Sequence, residues 1–264
     1  MIVQTEYFQL ETGAATDTGR VRDHNEDSFL PRPEFGVWVV ADGMGGHDAG
    51  DVASQTIVSE LASVGYAISI EDLQVRFMER LGRAHERILQ HSASLGGVTV
   101  GATLVALLTF DDHYRCIWSG DSRIYRMRDG VLVQQTADHT EVRELLEAGL
   151  ISAEEAENWP RKNVITRAIG VSPQPNCDVV GAELQQGDMF LLCSDGLTEH
   201  NSDADLAQAL GSGMDVQQIC DGLIAQTLDR GAKDNVTAVV LRCAAPLPVE
   251  PVEDVYEEGG GYDV

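Results

Sequence analysis

The stretch GVTVGATLVALLTFDDHYRCIWSGDSRIYRMRDGVLVQQ, residues 97–135, contains four apolar segments that follow one another with only short polar breaks. Aliphatic, β-branched and aromatic residues fill the segments, and Gly, Asp and Ser separate them, which is typical of strands joined by turns. Arg-Asp-Gly at 128–130 indicates a hairpin turn between the last two segments. Because strands joined by short turns must run in opposite directions, the stretch predicts an antiparallel sheet.

Strands come in runs along the rest of the chain, with helices between the runs. Strands are predicted at 28–30, 36–41, 98–110, 114–119, 123–128, 131–135, 178–183, 189–193 and 236–242. Apolar residues recur at helical spacing over 53–64, 73–88 and 216–228. This order lacks the regular strand–helix alternation of a parallel sheet. It predicts an α+β fold, a central sandwich of two antiparallel β-sheets flanked by pairs of α-helices.

The composition is that of an acidic globular protein, with 264 residues, 43% of them hydrophobic, and a formal net charge of −25. Residues 1–243 contain no linker-like segment and are predicted to form one domain with a sizeable core. Such an acidic surface repels nucleic acid and anionic lipid, so neither a nucleic acid nor a membrane is expected as a partner. The five cysteines form no C-x-x-C pair, as expected for reduced thiols of a cytoplasmic protein.

The two ends of the chain differ in character. The N-terminal residues MIVQTEYFQLETG lack a basic region and an apolar region, so no signal peptide is expected. The longest apolar run, 97–110, is too short to span a bilayer and is predicted to be buried strand. The last 21 residues, 244–264, hold six acids, three prolines and no base, and this composition predicts a disordered tail.

Five aspartates stand at predicted strand ends. Asp42, Asp121 and Asp195 each follow a strand, whereas Asp27 and Asp234 each precede one. In antiparallel sheets, strands that end at one edge lie beside strands that begin there, so the five carboxylates are predicted to converge at one edge of the sandwich. Aspartate is also a common turn residue. A role in a turn explains any one of the five positions well, but it explains the presence of all five at strand ends less well.

Converging carboxylates require cations. Two of them about 5 Å apart repel by roughly 3 kcal/mol at an effective dielectric constant near 20. No His or Cys cluster accompanies the acids, which argues against zinc, and all-oxygen ligation suits Mg²⁺ or Mn²⁺. Two such ions about 3.5–4 Å apart can share a water, lower its pKa and direct it at phosphorus. The sequence therefore predicts a binuclear metal site at one edge of the sandwich.

A calcium loop is an alternative use for some of these acids. Asp23, Asn25, Asp27 and Glu34 have nearly the ligand spacing of an EF-hand. The glycine that the sharp turn of that loop needs is replaced by Ser28, and prolines rather than a helix follow the run. The spacing is therefore interpreted as a coincidence.

Eight motifs, in order along the chain, match one enzyme family. They are TDTGRVRDHNED (16–27), VVADGMGGHDAGDVAS (39–54), GATLVALL (101–108), SGDSRIYRMRDG (119–130), TADHT (136–140), NVITRAIG (163–170), LLCSDGL (191–197) and KDNVTAVVL (233–241). Together they resemble the bacterial form of the metal-dependent type 2C (PPM) Ser/Thr protein phosphatases. The resemblance implies hydrolysis of phosphoserine and phosphothreonine by direct attack of a hydroxide that bridges two ions, Mn²⁺ or Mg²⁺.

The resemblance also implies a role for each matching residue. Asp27 would bind one metal, Asp42 would bridge both ions, and Gly43 would offer its backbone carbonyl. Asp195 and Asp234 would complete the second side of the pair.

Three roles remain beside the two main ions. Glu26 would orient water bound to the metals, and Arg22 would grip the substrate phosphate, since the planar guanidinium matches phosphate oxygens. Asp121, together with Asp195, would hold a third ion more weakly. A Gly-Asp-Ser turn is also a common structural corner, so a purely structural role for Asp121 stays open.

The chain departs from the family pattern at two positions. Met44 stands where animal members carry a His proposed as general acid, so the proton for the leaving group must come from another source, such as a metal-bound water. Asp51 stands where Glu is expected, and would support the metal ligands without binding a metal ion itself. His47 and His139 lie within motifs and are interpreted as local hydrogen-bonding residues rather than catalysts.

Residues 140–163 hold two short acidic helices and a Trp-Pro break, where the family has a variable flap beside the active site. A plain surface helix and a substrate-selecting element both remain open. The expected partners are phosphorylated Ser/Thr proteins and a cognate Ser/Thr kinase in bacterial signalling, and the protein is expected to be a monomer. Two alternatives also stay open, a catalytically weak relative that binds phosphoproteins as a regulator and a hydrolase of small phosphoesters.

Overall fold

The structure, a computed structural model, describes residues 1–45, 49–161 and 163–246. Within these residues it contains twelve strands: β1 Ile2–Gln4, β2 Gln9–Asp17, β3 Asp27–Arg32, β4 Val37–Gly45, β5 Val100–Ala102, β6 Leu104–Phe110, β7 His113–Ser119, β8 Arg123–Arg128, β9 Val131–Gln134, β10 Asp178–Glu183, β11 Met189–Cys193 and β12 Val236–Ala244. The same residues contain one short 3₁₀ helix, Pro33–Phe35, and seven α-helices: α1 Ala49–Leu61, α2 Ile70–Ser94, α3 Glu141–Glu147, α4 Ala153–Glu157, α5 Asp195–Thr198, α6 Asp203–Leu210 and α7 Val216–Asp229.

The strands form two antiparallel sheets. One has the order β1-β2-β12-β11-β8-β9, and the other has the order β10-β7-β6-β4-β3, with β5 paired to the end of β4. Helices α1 and α2 cover the second sheet, and α6 and α7 cover the first. The predicted sandwich of two antiparallel sheets flanked by helix pairs is therefore confirmed, and the two short helices predicted between residues 140 and 163 are α3 and α4.

Strand β4 shows why the central strands are continuously apolar. Successive side chains point to opposite faces of a sheet. Trp38 and Val40 pack between the sheets against Phe190, whereas Val37 and Val39 pack against the helices. Because both faces of the strand are covered, neither set can be polar. The run VWVVA thus places the end of β4, and the acid that follows, at the edge of a well-packed core.

The first sheet contains two strands that the sequence does not predict, β1 and β2. The segment QLETGAATD lacks a clear alternation and becomes a strand through its pairing with β12, from Gln9–Ala244 to Asp17–Val236. At Gly13 a Cβ would lie 2.5 Å from the backbone oxygen of Val216, so only glycine allows this close approach of α7.

Some predicted boundaries also differ. The predicted strand 98–110 is divided at Thr103 into β5 and β6. Strand β12 includes Ala244, the first residue of the predicted tail. From residue 247 onward that tail lies outside the described residues, as does His47, so the domain limits of 1–243 stay a prediction. Among the helices of the described ranges, none has both the length and the apolar character needed to cross a membrane.

The ion pair between Arg128, at the end of β8, and the buried Asp188 gives a stability prediction. Asp188 is fully buried and accepts hydrogen bonds from Nε and Nη2 of Arg128, both at 2.6 Å, and one from the N–H of Gln185. Asp188→Ala would leave these donors without an acceptor, so we expect the free energy of unfolding to fall by about 3 kcal/mol in urea denaturation. As a control, Arg83→Ala breaks only the exposed pair with Glu79 and should cost less than about 0.5 kcal/mol. Equal costs for the two variants would contradict this reading of Asp188.

Candidate metal centre

Strands β3 and β4 place the first two carboxylates side by side. Asp27 and Asp42 are direct partners in the antiparallel register, where Cβ atoms lie about 5 Å apart. Asp27 is the first residue of β3, not the residue before it, and its side chain is buried. Like charges directly opposite one another destabilise a sheet, so this arrangement needs a compensating charge.

Asp195 and Asp234 reach the same edge from the other sheet. Asp195 follows β11 by two residues and begins α5, and Asp234 lies two residues before β12, the neighbour of β11. Asp195 and Asp42 line the same cavity, so the two sheets meet at this point. One oxygen of Asp234 accepts a 2.7 Å hydrogen bond from Nη2 of Arg22.

Asp121 lies in the turn between β7 and β8. The residue before it, Gly120, has φ +116°, a conformation that favours glycine. The hydroxyl of Thr103 lies 2.8 Å from that of Ser122 and accepts the N–H of Asp42 at 3.2 Å. Thr103 therefore ties the Asp121 turn to the strand that carries Asp42.

The predicted site residues do come together. All of them except Asp27 line one cavity of about 290 Å³, which Met44 also lines. Asp27 lies behind the cavity, and its Oδ2 accepts 2.7 Å hydrogen bonds from the hydroxyls of Ser194 and Thr237. The other oxygen of Asp27 is buried without a hydrogen-bond partner in the described part of the chain.

Burial and mutual repulsion disfavour the charged forms of Asp27, Asp42, Asp121 and Asp195. Burial first, and then the neighbouring carboxylates, raise the pKa of Asp27 and of Asp121 to about 7. Burial and the nearby charges raise the pKa of Asp195 to about 6. The pKa of Asp42 rises well above its usual range because the group is buried and faces Asp27. Divalent cations would remove these costs, so the donor set fits hard metal ions.

The all-oxygen chemistry of the cluster suits Mg²⁺ and Mn²⁺. Within the described ranges, no group of three or more His, Cys, Asp or Glu side chains has the arrangement of a metal site. Support for metal binding comes instead from burial, from mutual charge, and from the buried oxygen of Asp27 that has no partner.

Asn235 fixes the loop that carries Arg22 and Glu26. Its amide donates to the backbone oxygens of Thr18 at 2.9 Å and His24 at 2.8 Å, and its carbonyl oxygen accepts the N–H of Glu26 at 2.8 Å. The sequence assigns no role to Asn235, and the only signal was its place directly after a predicted ligand. The amide organises the loop opposite Asp234, so Asn235 belongs to the site through its contacts with the backbone of Thr18, His24 and Glu26.

Ser194 and Thr237 were also missed by sequence reasoning. Both stand in matched motifs, one just before a predicted ligand and one inside a strand, where a hydroxyl gives no functional signal. Ser194 Oγ additionally accepts the N–H of Thr237 at 3.0 Å. The pair joins β11 to β12 and holds one oxygen of Asp27 in place.

Glu26 packs against the first turn of α1. The Gly50 backbone donates a hydrogen bond to its carboxylate, and a Cβ at Gly50 would lie 2.6 Å from Glu26 Oε1. Burial raises the pKa of Glu26, and the charge of Arg22 opposes that rise. Asp51, expected behind the ligands, accepts the N–H of Val52 at 2.7 Å through its own Oδ1.

A larger cavity adjoins the metal cavity. It has a volume of about 750 Å³ and lies between the flap, which carries α3 and α4, and helix α5. Asp121, Asn163 and Asp195 line both cavities, so the two lie side by side. Asn163 donates a 3.0 Å hydrogen bond to Glu199 across the boundary.

Comparison with known proteins identifies similar chains. The model of the family Protein phosphatase 2C matches residues 17–236. The serine/threonine phosphatase stp of Listeria innocua is 36% identical over 236 residues, which cover 86% of this chain and 93% of that protein. The structure of PppA, a key regulatory component of T6SS in Pseudomonas aeruginosa, has 40% identity and a TM-score of 0.81 over 91% of this chain and 100% of that chain. The catalytic domain of the serine/threonine protein phosphatase PstP, solved with two manganese ions, has 34% identity and a TM-score of 0.78 over 89% and 98%.

Proposed function

The chain belongs to the protein phosphatase 2C family and is a metal-dependent protein Ser/Thr phosphatase, and we propose that the carboxylate cluster at the edge of the two sheets is its catalytic site. The observation that carries the proposal is the convergence of carboxylates from both sheets on one cavity, with the buried Asp27 behind them. The raised pKa values of Asp27 and Asp42, and the oxygen of Asp27 that is buried without a hydrogen-bond partner in the described residues, indicate that positive charge would stabilise the cluster.

Two ions, Mn²⁺ or Mg²⁺, would be held by Asp27, Asp42, the carbonyl of Gly43, Asp195 and Asp234. A third ion would be held more weakly by Asp121 with Asp195. When bound, the ions lower the pKa of water and neutralise charge on phosphate oxygens. Gly43 suits its role because its backbone lies against α1, where a Cβ would approach the carbonyl oxygen of Gly50 to 2.1 Å.

The residues around the ions position the substrate. Arg22 is about half exposed at the mouth of the cavity, and its guanidinium can offer two parallel N–H groups to phosphate oxygens. Glu26, fixed by the backbone of Gly50, faces the same space and can accept hydrogen bonds from water. Met44 lines the cavity and has no proton to donate, so the leaving alkoxide would take its proton from water.

The substrates are phosphorylated Ser/Thr proteins. The large cavity that lies beside the metal cavity, next to the flap, supports this class, since it can accommodate the peptide around a phosphoresidue. We further propose that a Ser/Thr kinase supplies these phosphoproteins, and that the enzyme acts as a monomer in the cytoplasm. All five cysteines are free thiols, which suits a reducing compartment.

Arg22 gives a prediction that separates phosphate binding from metal binding. Arg22→Ala should lower kcat/KM on a phosphopeptide by about ten- to a hundredfold, because a charged hydrogen-bonded contact of roughly 1.5–3 kcal/mol is lost. Metal affinity should stay unchanged or rise, since Arg22 and the ions compete for the carboxylate of Asp234. Steady-state kinetics and Mn²⁺ titration measure the two effects.

The matched control for Arg22 is a lysine. Arg22→Lys keeps the charge without the planar fork, so it should recover only part of the lost kcat/KM. The assigned role is wrong if Arg22→Ala weakens Mn²⁺ binding by tenfold, or if it leaves kcat/KM unchanged.

Substrate class is tested by parallel assays. Phosphoserine and phosphothreonine peptides should be hydrolysed with at least about tenfold higher kcat/KM than p-nitrophenyl phosphate, because only a peptide can fill the 750 Å³ cavity. A higher kcat/KM for the small ester would make the protein a small-phosphoester hydrolase. Phosphopeptide binding without turnover in saturating Mn²⁺ would make it a phosphoprotein-binding regulator.

A further inference from the structure

His139, in the motif TADHT, is buried at the base of the flap, and the mechanism above makes no use of it. Its backbone N–H donates to the carbonyl of Gly120 at 2.9 Å, and its own carbonyl accepts the N–H of Thr166 at 2.8 Å. Thr140 and Ile165 form a bridge directly beside these contacts. The main chain of His139 therefore joins the turn that precedes Asp121 to the segment that returns from the flap.

The ring of His139 adds a second connection, which joins the same turn to Asp178. The N–H of Gly120 lies 3.2 Å from Nδ1, and Nε2 lies 3.1 Å from Oδ2 of Asp178. A backbone N–H can only donate, so Nδ1 must carry the lone pair and Nε2 the proton. The ring stacks on Trp118 with 5.9 Å between centroids and 17° between planes. One tautomer in one orientation thus satisfies both contacts.

Asp178 extends the connection to the segment after the flap. Its second oxygen accepts a 3.0 Å hydrogen bond from Nη1 of Arg167. Arg167 follows Thr166, whose N–H is bonded to His139. Hydrogen bonds therefore link Gly120, His139, Asp178 and Arg167 in series at the base of the flap.

The Asp121 turn is supported from two sides, and His139 provides one of the two supports. Gly120 has φ +116°, and a Cβ there would lie 2.7 Å from Cβ of Thr103. Thr103 holds the turn from the side of Asp42 through Ser122. His139 is the corresponding support from the side of the flap.

We propose that His139 is a positioning residue that couples the base of the flap to the Asp121 turn, so that Asp121 stands at the cavity wall only while the returning segment 163–167 is in place. The inference rests on the proposed function, in which Asp121 helps to hold the third ion. It predicts that a change at His139 alters the requirement for metal, although His139 touches neither metal ligands nor substrate by its side chain.

Two substitutions separate the two ring contacts. His139→Asn can place a carbonyl oxygen near the position of Nδ1, so it can still accept the N–H of Gly120 while losing Asp178. His139→Gln can reach Asp178 with its amide but leaves the N–H of Gly120 without an acceptor. Since removal of a group that supports a metal ligand costs about 10–100-fold in affinity or activity, we expect His139→Gln to raise the Mn²⁺ concentration for half-maximal kcat by about tenfold, with KM for the peptide little changed. His139→Asn keeps an acceptor for the N–H of Gly120, and the main chain of residue 139 still joins Gly120 to Thr166, so this variant should stay within about threefold of the parent.

His85 supplies a matched control. It is buried on α2, where Nδ1 accepts the N–H of Gly170 at 3.0 Å and Nε2 lies 2.9 Å from the carbonyl of Ser172. It has the same ring chemistry as His139 but no hydrogen bond to the Asp121 turn. His85→Gln should lower the melting temperature by an amount similar to His139→Gln, yet leave the Mn²⁺ requirement within about twofold of the parent.

The experiment is Mn²⁺ titration of phosphopeptide turnover for the parent and the three variants, with calorimetric Mn²⁺ binding and circular dichroism on the same samples. A folded His139→Gln variant with parental Mn²⁺ binding and parental kcat would overturn the proposal. So would equal effects of His139→Gln and His139→Asn, or an equal shift in His85→Gln. A parent without metal-dependent turnover would instead refute the proposed function, and calorimetry would still test the coupling.

Discussion

Asp42→Asn is expected to lower kcat on a phosphopeptide by at least about a thousandfold. Asp42 stands between the acids of the two sheets, as the register partner of Asp27 and in the wall of the same cavity as Asp195. The amide has nearly the same shape but is neutral and offers one oxygen, so it cannot hold two cations together. Turnover at saturating substrate and saturating Mn²⁺ measures the loss.

Folding is the necessary control for Asp42→Asn. Burial and neighbouring carboxylates raise the pKa of Asp42 well above its usual range, so the neutral amide should not destabilise the metal-free protein. Its melting temperature without metal should equal or exceed that of the parent. The same change at Asp112, which is about half exposed in the turn between β6 and β7 and does not line the cavity, should leave kcat within about twofold. Retention of a tenth of the parental kcat in Asp42→Asn would rule out a bridging role.

Exhaustive removal of metal is expected to abolish turnover, and Mn²⁺ or Mg²⁺ should restore it. Ca²⁺ should bind the same acids but support little turnover, because its coordination is larger and more flexible. The measurement is phosphopeptide hydrolysis after chelation and after addition of each ion. Full activity in the chelated enzyme would show that the carboxylate cluster is not a catalytic metal site.

Thermal unfolding measures the same metal binding without activity. Ions that bind only the folded site add about 2.7 kcal/mol at a hundredfold excess over Kd, or about 5–10 °C for a domain of this size. Asp195→Asn should reduce that rise, and an unchanged rise would exclude Asp195 as a ligand.

The rise in melting temperature that metal binding causes should also depend on pH. The pKa values of Asp27 and Asp121, about 7, and of Asp195, about 6, are raised from 3.8. The metal-free folded protein therefore binds protons more tightly than the unfolded chain, and its stability falls as the pH increases from about 4 to about 7. Bound ions take the place of those protons. The shift in melting temperature should consequently be larger at pH 8 than at pH 5, and the opposite order would contradict the pKa changes.

The fold class could be predicted because its signals are local. The runs VWVVA and MFLLC remain apolar because β4 and β11 are covered on both faces, and the Arg-Asp-Gly turn marks a hairpin. β1 and β2 could not be predicted in this way. β2 is extended because β12, more than 200 residues away in the chain, offers it a complete set of hydrogen-bond partners.

For the candidate site, the sequence by itself determined that five aspartates follow or begin strands, and the motifs determined the family. Only the tertiary structure decided that Asp27 faces Asp42, that Arg22 pairs with Asp234 212 residues away, and that Ser194 holds Asp27 across 167 residues. It also decided that Asn235 and His139 organise the loops around the acids. The physical reason is that strand register and the meeting of the two sheets are set by packing of the whole core, which no local pattern of residues encodes.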